Sequence, residues 1–235
     1  MSDETLFSDA RDALRVGGPV ARYGVQRPAP LAQALQYHNA LLKSDRRGAA
    51  ASLTDAMDAG QSLTGACVQI VQPAMYQIGN LWQGGSITVS QEHLATAISE
   101  SAMAVAYTRA EFLPLIGQTA MFACVEGNYH NLGLRMLSDA FETCGWDVVY
   151  LGASVPSHDL LAEVDRRRPA LLALSAALPQ HLVVARATIE KLHAELGQAC
   201  PTIWIGGLGV QSEAQVRLVG ADGWASDAVH ALKQL

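Results

Sequence analysis

TAMFACVEGNYHNLG, residues 119–133, decides how the chain is read. Thr119–Val125 is a short apolar run with no polar alternation, which predicts a strand buried on both faces. A polar loop containing glycine follows, and Leu132–Cys144 then takes up helical spacing. The pattern repeats downstream. Asp147–Leu151 (DVVYL) reads as a second strand and Ser157–Arg168 as a second helix. Ala170–Ser175 (ALLALS) and Thr202–Ile205 (TIWI) read as a third and fourth strand, separated by a helix from about Val183 to Leu196. A fifth short strand near Gly223–Ala225 precedes a last helix. This alternation predicts a doubly wound parallel sheet, an α/β domain over residues 118–235. Such sheets bind ligands beyond the carboxyl ends of their strands, where the strand order reverses. The loops after Val125, Ser175 and Ile205 are therefore where function is expected.

Upstream, over residues 30–117, the period becomes helical. Leu31, Ala34, Leu35, Leu41 and Leu42 make one apolar face, and Gly48–Ala59 makes a second helix. Leu63–Trp82 is a third, with Cys67, Val68, Val71, Met75 and Ile78 on a buried stripe. Ser90–Phe112 is a fourth, capped by Ser90, with Leu94, Ala97, Ile98, Ala102 and Val105 facing inward. Four helices on short loops predict an antiparallel bundle, an all-α cap ahead of the sheet. Residues 1–29, with Gly17-Gly18-Pro19 and Pro28-Ala29-Pro30, read as an extension holding a short helix and a loop.

Composition narrows the function classes. Half of the 235 residues are apolar, yet no run of roughly 18 uncharged apolar residues occurs, so no membrane span is expected. The stretch MSDETLFSDARDALRV at the N-terminus has no apolar core segment and does not read as a secretory signal, so a cytoplasmic protein is expected. The net charge of −6 argues against direct DNA binding, which rests on cationic side chains neutralising phosphates. The cluster Arg166-Arg167-Arg168 suits a helix C-terminus. Cys67, Cys124, Cys144 and Cys200 lack CxxC spacing and read as reduced thiols, not a zinc set.

The first of the three loops reads Glu126-Gly127-Asn128-Tyr129-His130-Asn131-Leu132-Gly133, the second Ser175-Ala176-Ala177-Leu178, the third Gly206-Gly207-Leu208-Gly209. His130 stands just before a helix, and Gly133 where that helix is expected to pack closely. Ser175 offers a hydroxyl, and Gly206-Gly207 lets a flat or long ligand approach the backbone. The set resembles the cobalamin-binding domain, whose pattern is Asp-x-His-x-x-Gly, then Ser-x-Leu, then Gly-Gly. The match rests on His130-x-x-Gly133, Ser175 and Gly206-Gly207 and runs from about Thr119 to the end.

The resemblance implies a flavodoxin-like, Rossmann-like fold in which His130 displaces the cofactor's own dimethylbenzimidazole and binds cobalt. The nucleotide tail would then enter a cleft lined by Ser175, Ala177, Leu178, Gly206 and Gly207. Two positions depart. Asn128 stands where the family carries a carboxylate, and Ala177 where it carries Leu, with Leu178 one step on. A metal-bound imidazole gives its other N–H to an acceptor, which raises its basicity. Asn128 is expected to accept that bond without contributing charge, making His130 a weaker donor to cobalt; Glu126 is the alternative acceptor.

A second signature lies in the bundle, where residues 79–93 read GNLWQGGSITVSQEH. Taken bare, Trp82 fits a core position and Glu92-His93 a helix start. The stretch also resembles the helical cap of CarH-type light sensors, which carry Trp, Val seven residues on, then Glu-His. Trp82, Val89, Glu92 and His93 match. The resemblance implies that they enclose the upper face of the corrin and the adenosyl group. It extends the match to about Leu31–Leu235, without the DNA-binding helix-turn-helix of those repressors. The stand-alone arrangement is similar to AerR-type antirepressors and to photocobilins. Gln83 replaces the histidine that captures cobalt in the light repressors, so a bis-histidine photoproduct is not expected through that position.

The leading expectation is thus a light-responsive adenosylcobalamin sensor. It is not an enzyme, and it acts on a partner, a transcription factor or other effector, or on its own assembly as a homo-oligomer. A corrinoid carrier of a methyltransferase system is the rival reading. A haem sensor using His130 is a third, and biliverdin or another bilin near Tyr76, Tyr107, His38 or His158 a fourth.

Overall fold

The structure, a computed structural model, describes residues 32–235; the short helix expected in the extension lies outside them. The chain divides into two compact units between Glu111 and Phe112. This is ahead of the expected boundary at residue 118, because the linker is tied to the sheet unit. Leu113 donates its N–H to the carbonyl of Thr143 (3.0 Å) and Ile116 to that of Gly145 (2.8 Å).

The first unit is helical: α1 (Ala32–Leu42), α2 (Arg46–Asp58), α3 (Leu63–Ala66), α4 (Gln72–Gln83) and α5 (Val89–Tyr107). Side-chain caps open α2 and α3, with Asp45 accepting from Gly48 N (2.9 Å) and Ser62 from Gly65 N (3.1 Å). The expected third helix is not continuous. Cys67–Val71 forms a π turn between α3 and α4, in which Gln72 N–H reaches back to Cys67 O. Pro73 supplies the reason, because it has no N–H to give and its ring crowds the carbonyl one turn back.

The last helix of this unit starts differently as well. Its cap is Thr88, not Ser90: Thr88 Oγ1 accepts from Gln91 N (3.2 Å) while Gln91 Oε1 accepts from Thr88 N (2.8 Å). The buried face accordingly carries Ala95, Ile98, Ser99, Ala102, Met103 and Ala106, while Leu94, Ala97 and Val105, expected inward, are exposed. Small residues hold the inner face because α5 packs on α2, which presents Ala49, Leu53 and Ala56.

The second unit is a five-stranded parallel sheet of order β2-β1-β3-β4-β5, with β1 (Thr119–Val125), β2 (Asp147–Val155), β3 (Leu171–Ser175), β4 (Thr202–Gly206) and β5 (Gly223–Trp224). It is the expected flavodoxin-like order. Helices α6 (Leu132–Thr143), α7 (Ser157–Arg167), α8 (Pro179–Leu196), α9 (Glu213–Val219) and α10 (Ala228–Leu232) connect and follow the strands. The short α9 was not anticipated from sequence. Both sheet faces are buried, as the unbroken strand pattern demands. Met121, Ala123 and Val125 pack with Leu160, Val164, Ile189, Leu192 and Val216. Ala120, Phe122 and Cys124 face the other way, toward Leu134, Phe141 and Ala231. The Phe122 and Phe141 rings meet edge to face, their centroids 5.3 Å apart. Arg166 and Arg167 pair with Glu163, and Arg168 with Asp165, so the arginine cluster serves the end of α7. Among the described residues no helix is long and apolar enough to cross a membrane.

One buried group in the helical unit makes a measurable demand. His38 is wholly buried, and neither ring nitrogen has a hydrogen-bond partner among the described residues. Burial pushes its pKa down from 6.5 to about 4. The unfolded chain therefore takes up a proton that the folded chain refuses, and stability falls as pH drops from 6.5 towards 4, by up to about 3 kcal/mol. Melting followed by circular dichroism should show Tm falling between pH 7 and pH 5, and His38→Met should remove a measurable part of that fall. An identical pH slope in the variant would refute the assignment.

Candidate functional site

The reversal of strand order lies between β1 and β3, and the crevice that such sheets offer to ligands opens beyond those two strands. Parallel register aligns Cys124 with Ser175 and Ser175 with Gly206, so the three singled-out loops leave the sheet from one row.

Asn128 is fully buried in the first loop and organises it. Its Nδ2 donates to the carbonyl oxygen of Ser175 (2.8 Å) and lies 3.4 Å from Ser175 Oγ. Its Oδ1 accepts the backbone N–H of His130 (3.0 Å). Its own N–H closes a turn onto Val125 O (2.9 Å), and its carbonyl accepts from Ser154 N (2.9 Å) at the end of β2. Gly127 N in turn donates to Ser154 Oγ (3.0 Å). Ser154 holds a left-handed φ of 48° to make this bridge, the kind of local strain found at binding sites. The loop is fastened to both neighbouring strands.

This alters the expected role of Asn128. Its carbonyl holds the His130 main chain instead of the ring. Glu126, the alternative acceptor, takes the N–H of Ser157 at the start of α7 (3.4 Å). The exposed His130 imidazole has no hydrogen-bond partner among the described residues. It is presented to solvent with its ring nitrogens uncommitted among the described residues.

The glycines divide by role. At Gly133 a Cβ would meet nothing within 4 Å, so close helix packing, the expected reason for this residue, is not what the fold requires. The position is open and exposed. Gly207 is needed by the protein itself: φ is +97°, and a Cβ would fall 2.6 Å from Ala176 O. A Cβ at Gly209 would fall 2.8 Å from the same oxygen. The loop after β4 therefore packs directly on the turn after β3, which carries Ala177 and the exposed Leu178. Gly206 is looser, with Ala225 O at 3.7 Å.

Sequence reasoning missed His181, in the first turn of α8. It is 6 % exposed, and its Nδ1 accepts the N–H groups of Ala177 (3.3 Å) and Leu178 (3.2 Å). Burial, followed by repulsion from His130, pushes its pKa down. The available signal was a histidine where a capping Glu or Gln commonly sits.

In the helical unit, Trp82 and Val89 flank the turn between α4 and α5 and are 43 % and 48 % exposed. Trp82 is therefore not the core residue that its type alone suggests. Glu92 Oε2 lies 3.7 Å from His93 Nε2, and its Oε1 accepts from Thr96 Oγ1 (3.1 Å).

The donor set fits a metal that arrives already held. Among the described residues no three His, Cys, Asp or Glu side chains cluster as metal ligands. A single free imidazole at a sheet edge suits a macrocycle that supplies the equatorial ligands and leaves one axial position to the protein.

Residues 118–233 match the family model described as B12 binding domain, and residues 34–107 match a second model so described. The HTH-type transcriptional repressor CarH of Myxococcus xanthus is 28% identical over 149 residues, 63% of this chain but only 48% of the repressor. Monomethylamine corrinoid protein 1 of Methanosarcina mazei is 25% identical over 201 residues, 83% of this chain and 92% of that protein. The fold matches the solved structure of the Methanosarcina barkeri monomethylamine corrinoid protein with a TM-score of 0.75 at 21% identity, over 84% of this chain and 94% of that one.

The clasp makes a specific demand on residue 128. Asn128→Asp presents a carboxylate, which cannot donate, to the Ser175 carbonyl. Urea unfolding at pH 7 should show the sheet unit losing about 1–3 kcal/mol. Unchanged stability would mean that the amide is not what joins β1 to β3.

Proposed function

We propose that this cobalamin-binding protein is a light-responsive sensor that acts through a partner protein or through its own assembly, and not as an enzyme. The observation that carries the reading is the corner between α4 and α5. An indole and a valine stand half exposed there, followed by an acid–imidazole pair, in the order and spacing of the light-sensor cap.

In this reading His130 is the lower ligand, held in place by the Asn128 clasp, and Asn128, Gly133, Ser175, Ala177, Leu178, Gly206 and Gly207 surround the lower part of the cofactor. Trp82 and Val89 exclude water from its upper ligand, while Glu92 and His93 offer that ligand polar contacts. When bound as adenosylcobalamin, the group supplies a cobalt–carbon bond that light can break. The protein's task is to let the helical unit rest in one packing while the adenosyl group is present and in another after its loss. Gln83, an amide, is a poor successor ligand to cobalt. A second chromophore of the bilin class stays within this proposal only as an addition: His38 is buried in the helical core and His158 is exposed on α7, while Tyr76 and Tyr107 lie on α4 and α5.

A second reading has its own support. The similarity to a monomethylamine corrinoid protein covers nearly that protein's whole length, which favours a carrier that passes a methyl group between partner enzymes. A haem reading leaves the cleft for a nucleotide tail without use.

Protein purified in the dark and loaded with adenosylcobalamin should change its absorption spectrum under green light and change its assembly or partner binding with it. A spectrum that stays fixed under bright green light would overturn the sensor reading. Turnover of protein-bound methylcobalamin by a methyltransferase would install the carrier in its place. In either case His130→Ala should weaken hydroxocobalamin binding at least about tenfold and alter the bound spectrum.

A further inference from the structure

We propose that residues 6–15 form an amphipathic helix that docks, within the same chain, on the outward face of α5. The proposal does not depend on what the sheet unit binds.

The surface comes first. Leu94, Ala97 and Val105 have the spacing of a core face, yet the structure turns them outward, with Leu94 and Val105 each 44 % exposed. Ser101, Ala104 and Thr108 continue the same stripe along the helix. It is separate from the arc of Val89, Glu92 and His93, which lies roughly a quarter-turn around α5. An apolar stripe of this length calls for a cover. Its two margins differ in charge. Glu100 stands along one. Arg46, whose Nη2 donates to Ser101 Oγ (3.2 Å), and Arg109, which pairs with Asp58, stand along the other.

The chain ahead of the described residues carries a matching face. Leu6, Phe7, Ala10, Ala13 and Leu14 recur at helical spacing, and Gly17-Gly18-Pro19 ends the pattern. Wound as a helix, this apolar arc is bordered by Arg11 and Arg15 on one side and by Asp9 and Asp12 on the other. Such a helix over residues 6–15 is about 15 Å long, and residues 94–105 of α5 span about 16 Å. The tether also reaches. Helix α1 begins at Ala32 and packs on α5, while residues 16–31 can extend to about 50 Å. A segment so tied meets the stripe at an effective concentration of about millimolar, an advantage that a second copy lacks.

The charged margins also fix a direction. When the two helices run parallel, Asp9 and Asp12 face the Arg46 and Arg109 margin, and Arg11 and Arg15 face Glu100. Run antiparallel, like charges would meet. Phe7 therefore belongs near Leu94, and Leu14 near Val105.

Photo-cross-linking of the full-length protein tests this. Phe7 or Leu14 is replaced by p-benzoylphenylalanine, and an equal mixture of isotope-labelled and unlabelled chains is irradiated and mapped by mass spectrometry. Cross-links should form within one chain, from position 7 to residues 94–97 and from position 14 to residues 104–108. Leu94→Glu with Val105→Glu, both at exposed positions, should lower their yield at least about tenfold while far-ultraviolet circular dichroism shows the helices intact. Leu14→Asp, which alters only the segment, should lower the yield from position 7 in the same way. Cross-links between labelled and unlabelled chains would give the face to a second copy and overturn the proposal. Cross-links elsewhere, in the reverse order, or unchanged by the substitutions would overturn it as well.

Discussion

The site depends on one buried amide. Asn128 must donate to the Ser175 carbonyl and accept from the His130 main chain at once, and only a side chain with both polarities does so. Through it the loop after β1 is fixed to the end of β3 across the reversal of strand order. Ser154, strained into a left-handed conformation, fixes the same loop to β2. The imidazole of His130 thus projects from a stretch of chain that is fastened to both neighbouring strands. Its ring is free to bind something else without loosening the loop, which is the preorganisation a ligand site needs.

Two imidazoles stand at this edge, and their hydrogen-bond surroundings differ. His130 has both ring nitrogens open and can present a lone pair, as a metal ligand must. His181 has spent its lone pair on the backbone and can only donate while neutral.

The sheet unit was legible because its strands are buried on both faces, and such strands read as unbroken apolar runs whatever the loops do. The helical unit was legible in number but not in detail. Alanine at so many positions of α5 leaves two faces nearly equal in hydropathy, and packing against α2 chose the one with small residues, turning Leu94 and Val105 outward. Pro73 was in plain view but its consequence, the π turn at Cys67–Val71, depends on packing that keeps the chain helical across a break. In the site, motif spacing pointed to three loops that leave the sheet from one row, and it gave some residues a reason that the structure does not bear out. Gly207 answers to the carbonyl of Ala176, and Asn128 to Ser175, both partners from other strands that no local pattern reveals. His181 escaped notice because it lies inside a helix, past the loop that the motif marks.

A histidine at the sheet edge would serve a sensor and a carrier alike. What differs is the demand placed on the upper ligand. A carrier must expose it to partner enzymes, and a bulky apolar shield would obstruct the transfer. A sensor must keep water away from it until light acts, and this calls for a large apolar side chain held where it can be displaced. Under the proposed sensor reading, Trp82 would answer the second demand. It is half exposed next to a turn and not locked into the core of its own unit, and a hydrophobic side chain left so open gains stability from a ligand and loses it when the ligand goes. Under the proposed reading, the distinction between the two functions lies in the helical unit, in the residues from Trp82 to His93.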